Sequence, residues 1–175
     1  MPPIARSALR LYGLAGACIT SVVATAALIG ASGYRIVMND SPSMPRGFYW
    51  MTMGAMPTVR GDVVMFRPDA VWATRIYGRG WLPAGMPLLK TVGGLPGDEY
   101  CVRDGRFLVA GSEIGPVFRV DSQGRPIPQI GGCRRVGNGE FLPVAKTFDR
   151  SVDGRYMGAV PMRNVLGVGH ALMTF

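Results

Sequence analysis

The feature that most constrains this chain is a run of 24 residues, 11–34, without a charged side chain. About 20 consecutive apolar residues in a helix are enough to cross the hydrocarbon core of a bilayer. Arg6 and Arg10 precede the run, and no acidic residue does. Because positive charge marks the cytoplasmic side of a membrane helix, we expect residues 1–10 to be cytoplasmic, residues 11–34 to form a transmembrane signal anchor, and residues 35–175 to be periplasmic.

A cleaved signal peptide is the alternative interpretation of this run. The apolar core of such a peptide has only about 7–15 residues, so the longer run here favours an uncleaved, single-pass anchor in the inner membrane. The segment Ala15-Gly16-Ala17-Cys18 is similar to a lipoprotein acylation site, but it has Ala15 at the first position, where such a site requires Leu. We therefore interpret Cys18 as a small apolar residue of a helix.

A stiff segment with two serines, Asp40-Ser41-Pro42-Ser43-Met44-Pro45-Arg46-Gly47, follows the apolar run closely. Each proline fixes its own φ and biases the residue before it away from the helical region. Such a segment can hold a hydroxyl in place, so Ser43 is a candidate nucleophile. A plain proline turn after a helix is the alternative.

A serine nucleophile needs a base. His170 is the only histidine and lies in a terminal strand-like segment, where a packed or surface role is the simpler interpretation. All but two of the 19 Lys and Arg residues are arginine, the exceptions being Lys90 and Lys146. Burial in apolar surroundings lowers a lysine pKa, and Lys90 lies in the apolar segment Leu88-Leu89-Lys90-Thr91-Val92. We favour Lys90 as the base, keep Lys146 as the second candidate, and note that a solvated strand lysine is the alternative for Lys90.

The chain beyond residue 35 has the pattern of a mainly β, antiparallel domain with long loops. A glycine-rich segment at 93–97 lacks a following Lys-Ser/Thr and is interpreted as a turn, not a phosphate loop. Strands are predicted at 47–53, 61–66, 88–92, 140–144 and 165–175, a hairpin at 99–109 turning at Asp104-Gly105, a long loop at 67–87, and an irregular excursion at 111–136.

Charge and cysteine content argue against two other classes of protein. The net charge is +8, but the arginines are scattered, whereas a nucleic-acid footprint needs clustered basic residues. Three cysteines and one histidine at remote spacings make a structural zinc site improbable. No nucleic acid, metal or cofactor is therefore expected.

Three segments in order resemble the conserved boxes of type I signal peptidases, the Ser/Lys membrane proteases. They are Ser41-x-Ser43-Met44-Pro45, then Leu89-Lys90-x-Val92-x-x-Leu95-Pro96-Gly97-Asp98, then Ser151-x-Asp153-Gly154-Arg155-Tyr156-x-Gly158. The resemblance spans most of residues 11–175 and implies a signal-peptidase-like fold, a partly open β-barrel with one N-terminal transmembrane helix.

The sequence is more similar still to the TraF-type conjugative transfer signal peptidases. Pro45-Arg46-Gly47-x-Tyr49-Trp50, Asp98-x-x-Cys101, Asp121-Ser122-Gln123-Gly124-Arg125 and Cys133 carry this resemblance, as does the absence of a large inserted domain. Cys101 and Cys133 are the only cysteines of the segment expected in the oxidising periplasm, so we expect a disulfide between them.

The resemblance implies a role for each matching residue. Ser43 would be the nucleophile and Lys90 the general base, with the Ser41 hydroxyl and the Ser43 backbone N–H as oxyanion donors. Ser151 would hydrogen-bond and orient the Lys90 amine. Asp153 and Arg155 would pair to hold that box in place.

Two departures from the family pattern bear on the site. Pro143-Val144-Ala145-Lys146-Thr147 stands where the family has Gly-Asp-Asn, which keeps Lys146 open as a base, and Gly154 replaces a Ser. The implied function is processing of a membrane-inserted pilin precursor, either by hydrolysis or by cyclisation. The alternatives are a general signal peptidase acting on exported preproteins, a self-cleaving Ser/Lys repressor, which the anchor opposes, and a non-enzymatic component of a secretion channel.

Overall fold

The computed structural model describes residues 3–175, and the side chains of residues 12–28 and 30–175. The chain divides into two compact units, one ending at Arg35 and the other comprising Ile36–Phe175. The elements in chain order are α1 (Pro3–Ala31), β1 (Tyr34–Asn39), β2 (Gly47–Met53), β3 (Val63–Phe66), α2 (Ala70–Gly78), β4 (Leu88–Gly94), β5 (Glu99–Arg103), β6 (Arg106–Val109), β7 (Ser112–Pro116), β8 (Gly132–Arg135), β9 (Glu140–Val144), α3 (Gly154–Met157), β10 (Val160–Pro161), a 3₁₀ turn (Met162–Asn164) and β11 (Val165–Thr174).

The first unit consists mainly of α1. Two of its threonine hydroxyls donate to carbonyls one turn earlier, Thr20 to Gly16 O at 2.8 Å and Thr25 to Ser21 O at 2.9 Å. Within the described part of the chain, no helix combines the length and the apolarity that crossing a membrane requires. The transmembrane anchor at 11–34 stays a prediction.

The second unit is mainly β, which confirms the mainly β part of the predicted fold class. Its larger sheet has seven strands in the order β1-β2-β11-β3-β4-β9-β10, and the smaller has four in the order β7-β6-β5-β8. The strand pairs with a described register are antiparallel. The two ends of the larger sheet, β1 and β10, do not pair with each other among the described residues, so this sheet is open and not a closed barrel.

The final strand, β11, lies inside the larger sheet between β2 and β3. Gly169 opposes Met51 of β2, and Gly167 opposes Met53. A Cβ on Gly169 would collide with the Trp50 carbonyl oxygen, and one on Gly167 would come within 2.6 Å of the Thr52 carbonyl oxygen. The two glycines therefore permit the close approach of β11 to β2.

The larger of two apolar clusters contains residues of both sheets and of α2. Phe66 of β3 and Phe141 of β9 pack edge-to-face with ring centroids 5.3 Å apart. The same cluster contains Phe107 of β6 together with Trp72 and Ile76 of α2. The core thus supports the strands that carry the candidate site residues.

The prediction of a long loop at 67–87 was wrong in its first half, where α2 forms. Asp69 is the N-cap, and its side chain accepts a hydrogen bond of 2.9 Å from the Trp72 N–H. Trp72 and Ile76 lie one turn apart and are buried, so the apolar face of this short helix stabilises it. The predicted excursion at 111–136 likewise contains strands β7 and β8 at its ends.

Candidate active site

The segment between β1 and β2 is fixed by side chains at its two ends. Asn39 is buried and donates from Nδ2 to the carbonyl oxygens of Ser41, Met44 and Pro45 at 3.0–3.1 Å. The Tyr49 hydroxyl donates to the Pro45 carbonyl at 2.7 Å. Because these bonds replace the regular backbone pairing that the proline-rich segment lacks, the loop holds its two serines in defined positions.

The structure brings Ser43 and Lys90 into contact. Lys90 Nζ lies 2.7 Å from Ser43 Oγ, and Ser43 Oγ lies 2.9 Å from Ser41 Oγ. Ser43 and Lys90 are 7% and 4% exposed. A hydroxyl within hydrogen-bond distance of a buried amine is the arrangement that a nucleophile and its base require.

Lys90 lies on β4, an internal strand that pairs with β3 on one side and β9 on the other. Burial lowers its pKa to about 8, against the opposing effect of Asp153, while Arg155 lowers it further. A lysine with an ordinary pKa near 10.4 is almost entirely protonated at neutral pH. The buried position therefore supplies a usable fraction of neutral amine.

Asp153 and Arg155 form a fully buried ion pair beneath this site. Arg155 Nε donates to Asp153 Oδ1 at 2.9 Å, and its two terminal nitrogens reach the carbonyl oxygens of Pro116, Ala145 and Asp149 at 2.8–2.9 Å. Asp153 also caps α3 by accepting from the Arg155 N–H. The ion pair thus connects three parts of the chain: the end of β7, the segment that follows β9, and α3.

Ser151 lines the same cavity as Ser43 and Lys90 and is buried. Its hydroxyl has no hydrogen-bond partner among the described residues. The hydrogen bond expected from Ser151 to the Lys90 amine is therefore not formed in this structure. A buried hydroxyl without a partner is costly, which makes Ser151 Oγ an available contact for a group entering the cavity.

The other candidate bases lie elsewhere. Lys146 is exposed after the end of β9, and His170 is exposed on β11. Neither is among the residues lining the cavity that contains Ser43. Geometry thus favours Lys90 over both.

An open, largely apolar cavity of about 860 Å³ leads to the two serines. The apolar residues that line it together with the serine segment include Met65, Leu89, Trp81, Leu82 and Phe118. Its size suits several residues of a peptide, and its apolar lining suits small or apolar side chains.

The cysteines predicted to pair, Cys101 and Cys133, are joined by a disulfide between β5 and β8. Glu99 has a carboxylate oxygen within 4.8 Å of both sulfurs. Because the disulfide leaves no thiolate for a metal, this group is not a metal centre.

Asn39 is the site residue that the sequence analysis missed. It precedes the serine segment directly, and a lone Asn after an apolar strand carries no catalytic pattern. The available signal was a local one, since Asn side chains commonly hydrogen-bond the backbone of the turn that follows them.

The sequence is similar to those of several known proteins. The model of a family described as signal peptidase, peptidase S26, matches residues 9–174. A conjugal transfer protein TraF from Agrobacterium fabrum is 33% identical over 180 residues, which is 97% of each chain. A plasmid transfer protein TraF from Escherichia coli is 28% identical over 148 residues, covering 79% of this chain and 82% of the relative.

Among solved structures, the crystal structure of a signal peptidase I from Enterococcus faecalis is similar over 64% of this chain and 96% of that chain. The sequence identity is 22% and the TM-score is 0.38.

Proposed function

The chain belongs to the S26 family of signal peptidases, and on that premise we propose that it is a membrane-anchored serine endopeptidase whose nucleophile is Ser43 and whose general base is Lys90. The observation that carries the proposal is the 2.7 Å contact between Lys90 Nζ and Ser43 Oγ in a buried site. The family makes the chain a peptidase of the signal peptidase type, and the contact supplies the pair of groups that such chemistry needs.

The proposed reaction is acyl transfer in two steps. Neutral Lys90 takes the proton of Ser43 as Oγ bonds to the substrate carbonyl carbon, and the carbonyl oxygen becomes an oxyanion. The peptide C–N bond then breaks, the protonated Lys90 gives its proton to the leaving amine, and an ester remains on Ser43. Water, or an amine of the substrate, resolves the ester by the same proton transfers in reverse order.

Ser41 is proposed as an oxyanion donor, with the Ser43 backbone N–H as the second. The Ser41 hydroxyl lies 2.9 Å from Ser43 Oγ, close enough for it to reach an oxygen on the carbon that Ser43 attacks. Donors placed in this way stabilise the charge that develops in the transition state. Asp153 with Arg155 is proposed to hold the segment around Ser151 in place.

We propose a pilin precursor as the substrate and conjugation as the process. Two relatives are named as conjugal or plasmid transfer proteins and match over most of their length. Residues 11–34 are proposed to anchor the chain in the inner membrane with the catalytic domain in the periplasm. Ser43 is the ninth residue after Tyr34, and nine residues span at most ~30 Å at full extension, so the proposed site stays close to a membrane-inserted substrate.

The test is processing of a pilin precursor in membranes by wild type, Ser43→Ala and Lys90→Ala. Both variants should lose activity by at least ~10³-fold, whereas the exposed controls Ser112→Ala and Lys146→Ala should retain it. A product lighter than the hydrolysed one by one water would identify cyclisation.

The alternatives give different results in the same assay. Equal processing of unrelated exported preproteins would identify a general signal peptidase, which the family description also favours. Full activity of conjugation in cells carrying Ser43→Ala and Lys90→Ala would instead identify a non-enzymatic component and refute the proposal.

A further inference from the structure

We propose that Asn39 is a positioning residue that holds the Ser41 hydroxyl in its resting orientation and keeps it within reach of the oxyanion. The inference rests on the proposed function, in which Ser43 is the nucleophile and Ser41 an oxyanion donor. It assigns a task to a buried side chain whose described hydrogen bonds go to Ser41, Met44 and Pro45 and not to Ser43 or Lys90.

The orientation of the Asn39 amide follows from what surrounds it. Nδ2 faces three carbonyl oxygens, those of Ser41 at 3.0 Å and of Met44 and Pro45 at 3.1 Å. Carbonyl oxygens only accept hydrogen bonds, and an amide oxygen donates none. The NH₂ group must therefore face the loop backbone, which leaves Oδ1 facing Ser41.

The Ser41 proton is fixed by the same reasoning. Asn39 Oδ1 lies 2.8 Å from Ser41 Oγ and 3.3 Å from the Ser41 backbone nitrogen. Because Oδ1 only accepts, the single hydroxyl proton of Ser41 points at Asn39. In its 2.9 Å contact with Ser43 Oγ, Ser41 is consequently the acceptor.

These assignments give the hydrogen bonds one direction through the site. Ser43 donates to Ser41 and Ser41 donates to Asn39, so Lys90 Nζ is the donor in its 2.7 Å contact with Ser43 Oγ. In this arrangement the nucleophile's proton points away from the base. It is a resting state, and it matches a protonated Lys90.

Reaction requires the direction to reverse at two atoms. Ser43 must give its proton to neutral Lys90, and the Ser41 hydroxyl must turn from Asn39 Oδ1 toward the oxyanion. The hydrogen bonds from Asn39 Nδ2 to the loop carbonyl oxygens do not change in this step. They therefore keep Ser41 Oγ in place while its proton turns. Without Asn39, the Ser41 side chain can adopt all three staggered rotamers. Its resting rotamer is then no longer favoured, because the oxygen that accepted its hydrogen bond, Asn39 Oδ1, is gone.

The test is a double-mutant cycle on the full chain in detergent. The substrate is an internally quenched peptide with alanine at the first and third positions before the cleaved bond. Asn39→Ala and Ser41→Ala should each lower kcat by ~10²-fold, and the double variant should lose little more than either alone. A loss of ~10⁴-fold in the double variant would show that Asn39 acts independently of Ser41 and would overturn the inference.

Tyr49→Phe is the matched control for general loosening of the loop. It removes the other side-chain bond to the Pro45 carbonyl and does not touch the Ser41 hydroxyl. Its effect on kcat should multiply with that of Ser41→Ala. If Tyr49→Phe and Ser41→Ala are as strongly coupled as Asn39→Ala and Ser41→Ala, a structural role for Asn39 is sufficient and the inference fails.

The pH profile gives a readout that loosening alone would not move. Once Asn39 is removed, the Ser41 proton can turn to Ser43, and the Ser43 proton can turn to Lys90, which favours the neutral amine. The acid limb of kcat/KM in Asn39→Ala should move to lower pH, and an unmoved limb, or one moved to higher pH, would count against the inference.

The charged groups around Lys90 are the same in all of these proteins. Asp153 and Arg155 face the amine, and Asp121, Arg150 and Tyr156 are the other titratable residues that line the cavity beyond the serine segment. None of them is altered in the cycle, so a shift of the acid limb reports on the hydroxyl chain.

A crystal structure of the wild-type chain with a peptide boronate on Ser43 supplies a measurement that does not depend on the folding of any variant. Ser41 Oγ should lie within about 3 Å of a boronate oxygen, with the Asn39 bonds to the loop carbonyls intact. A Ser41 hydroxyl more than about 4 Å from both boronate oxygens would overturn the inference.

The outcomes separate the inference from the proposed function. If Ser43→Ala cleaves the peptide as well as wild type does, the Ser43 nucleophile and everything built on it are refuted. If Ser43→Ala is inactive but the cycle is additive, only the role of Asn39 is refuted.

Discussion

At the scale of single residues, the candidate site depends on a lysine in a place where lysine is uncommon. Lys90 follows two leucines on a strand, and the chain otherwise uses arginine almost everywhere. That contrast made Lys90 predictable from sequence, because burial lowers the pKa of a lysine, whereas an arginine stays protonated. Ser43, which Lys90 contacts, was also predictable, because the prolines around it indicated a stiff segment. Asn39 was not, because its function depends on where the loop folds back.

The pH dependence of cleavage should follow the neutral fraction of Lys90. Since burial lowers the pKa of Lys90 to about 8, that fraction falls about tenfold per pH unit below this value. We expect kcat/KM to rise with a slope of about 1 up to pH ~8 and then to level off. A flat profile between about pH 6 and 8 would contradict Lys90 as the base.

Replacing Lys90 by Met should stabilise the protein while abolishing cleavage. In the wild type the folded-state pKa of Lys90, about 8, lies below the ordinary lysine value of 10.5, so the unfolded chain binds the extra proton between these values. Wild-type stability therefore rises with pH through this window. The gain from Lys90→Met should be largest below pH 8, with a Tm increase of ~2–5 °C, and should fade toward pH 10.5.

Thermal unfolding followed by circular dichroism at several pH values measures this difference. Lys146→Met, at an exposed lysine, should leave the Tm unchanged at every pH. Equal gains from both variants would indicate a general effect of charge and not the burial of Lys90.

At the scale of elements, the strands were easier to predict than the helices. β2, β3, β4, β9 and β11 each show the aromatic or β-branched runs that favour strands, and their positions agree with the predictions within a few residues. α2 was missed because prolines on both sides suggested a loop, although Asp69 and the i, i+4 pair Trp72 and Ile76 carried the helical pattern. α3 has only four residues, and it forms because tertiary contacts of Arg155 hold it.

Removing the charge of Arg155 should therefore unfold more than α3. Arg155→Met leaves the Asp153 carboxylate buried without its partner, and it also leaves three carbonyl oxygens without a donor. A loss of ~3–5 kcal/mol in the free energy of unfolding is expected, measured by urea denaturation.

Arg106→Met is the matched control for Arg155→Met. Arg106 pairs with Glu113 at 3.1 Å, with both side chains about half exposed. Such surface pairs contribute ~0–1 kcal/mol. Similar losses in the two variants would show that the buried pair has no special structural role.

At the scale of the whole molecule, the sequence motifs predicted which residues form the candidate site, but they did not predict how the strands are distributed between two sheets. The mainly β class and the order of the site segments were predictable. The division into a seven-stranded and a four-stranded sheet was not, because strand pairing depends on contacts between residues far apart in sequence. The disulfide lies in the smaller sheet and joins β5 to β8 across 32 positions of the chain.

Replacing both Cys101 and Cys133 by Ser should lower the free energy of unfolding by ~3–4 kcal/mol, because the cross-link no longer restricts the unfolded chain. Urea denaturation of the wild type with and without a reductant should show the same difference. Cys18→Ser, at the free cysteine of α1, should show none. A wild type that is equally stable in reductant would contradict this prediction.

The central position of β11 has a consequence for when the protein becomes active. β2 follows the proposed nucleophile Ser43, β4 carries the proposed base Lys90, and β11 is the strand that joins β2 to β3. β11 begins at Val165, so it is translated after the segments that carry Ser43 and Lys90. In a nascent or truncated chain without β11, no strand connects β2, next to Ser43, with β3 and with β4, the strand that carries Lys90. The peptidase should therefore be inactive until β11 has been translated and has inserted between β2 and β3.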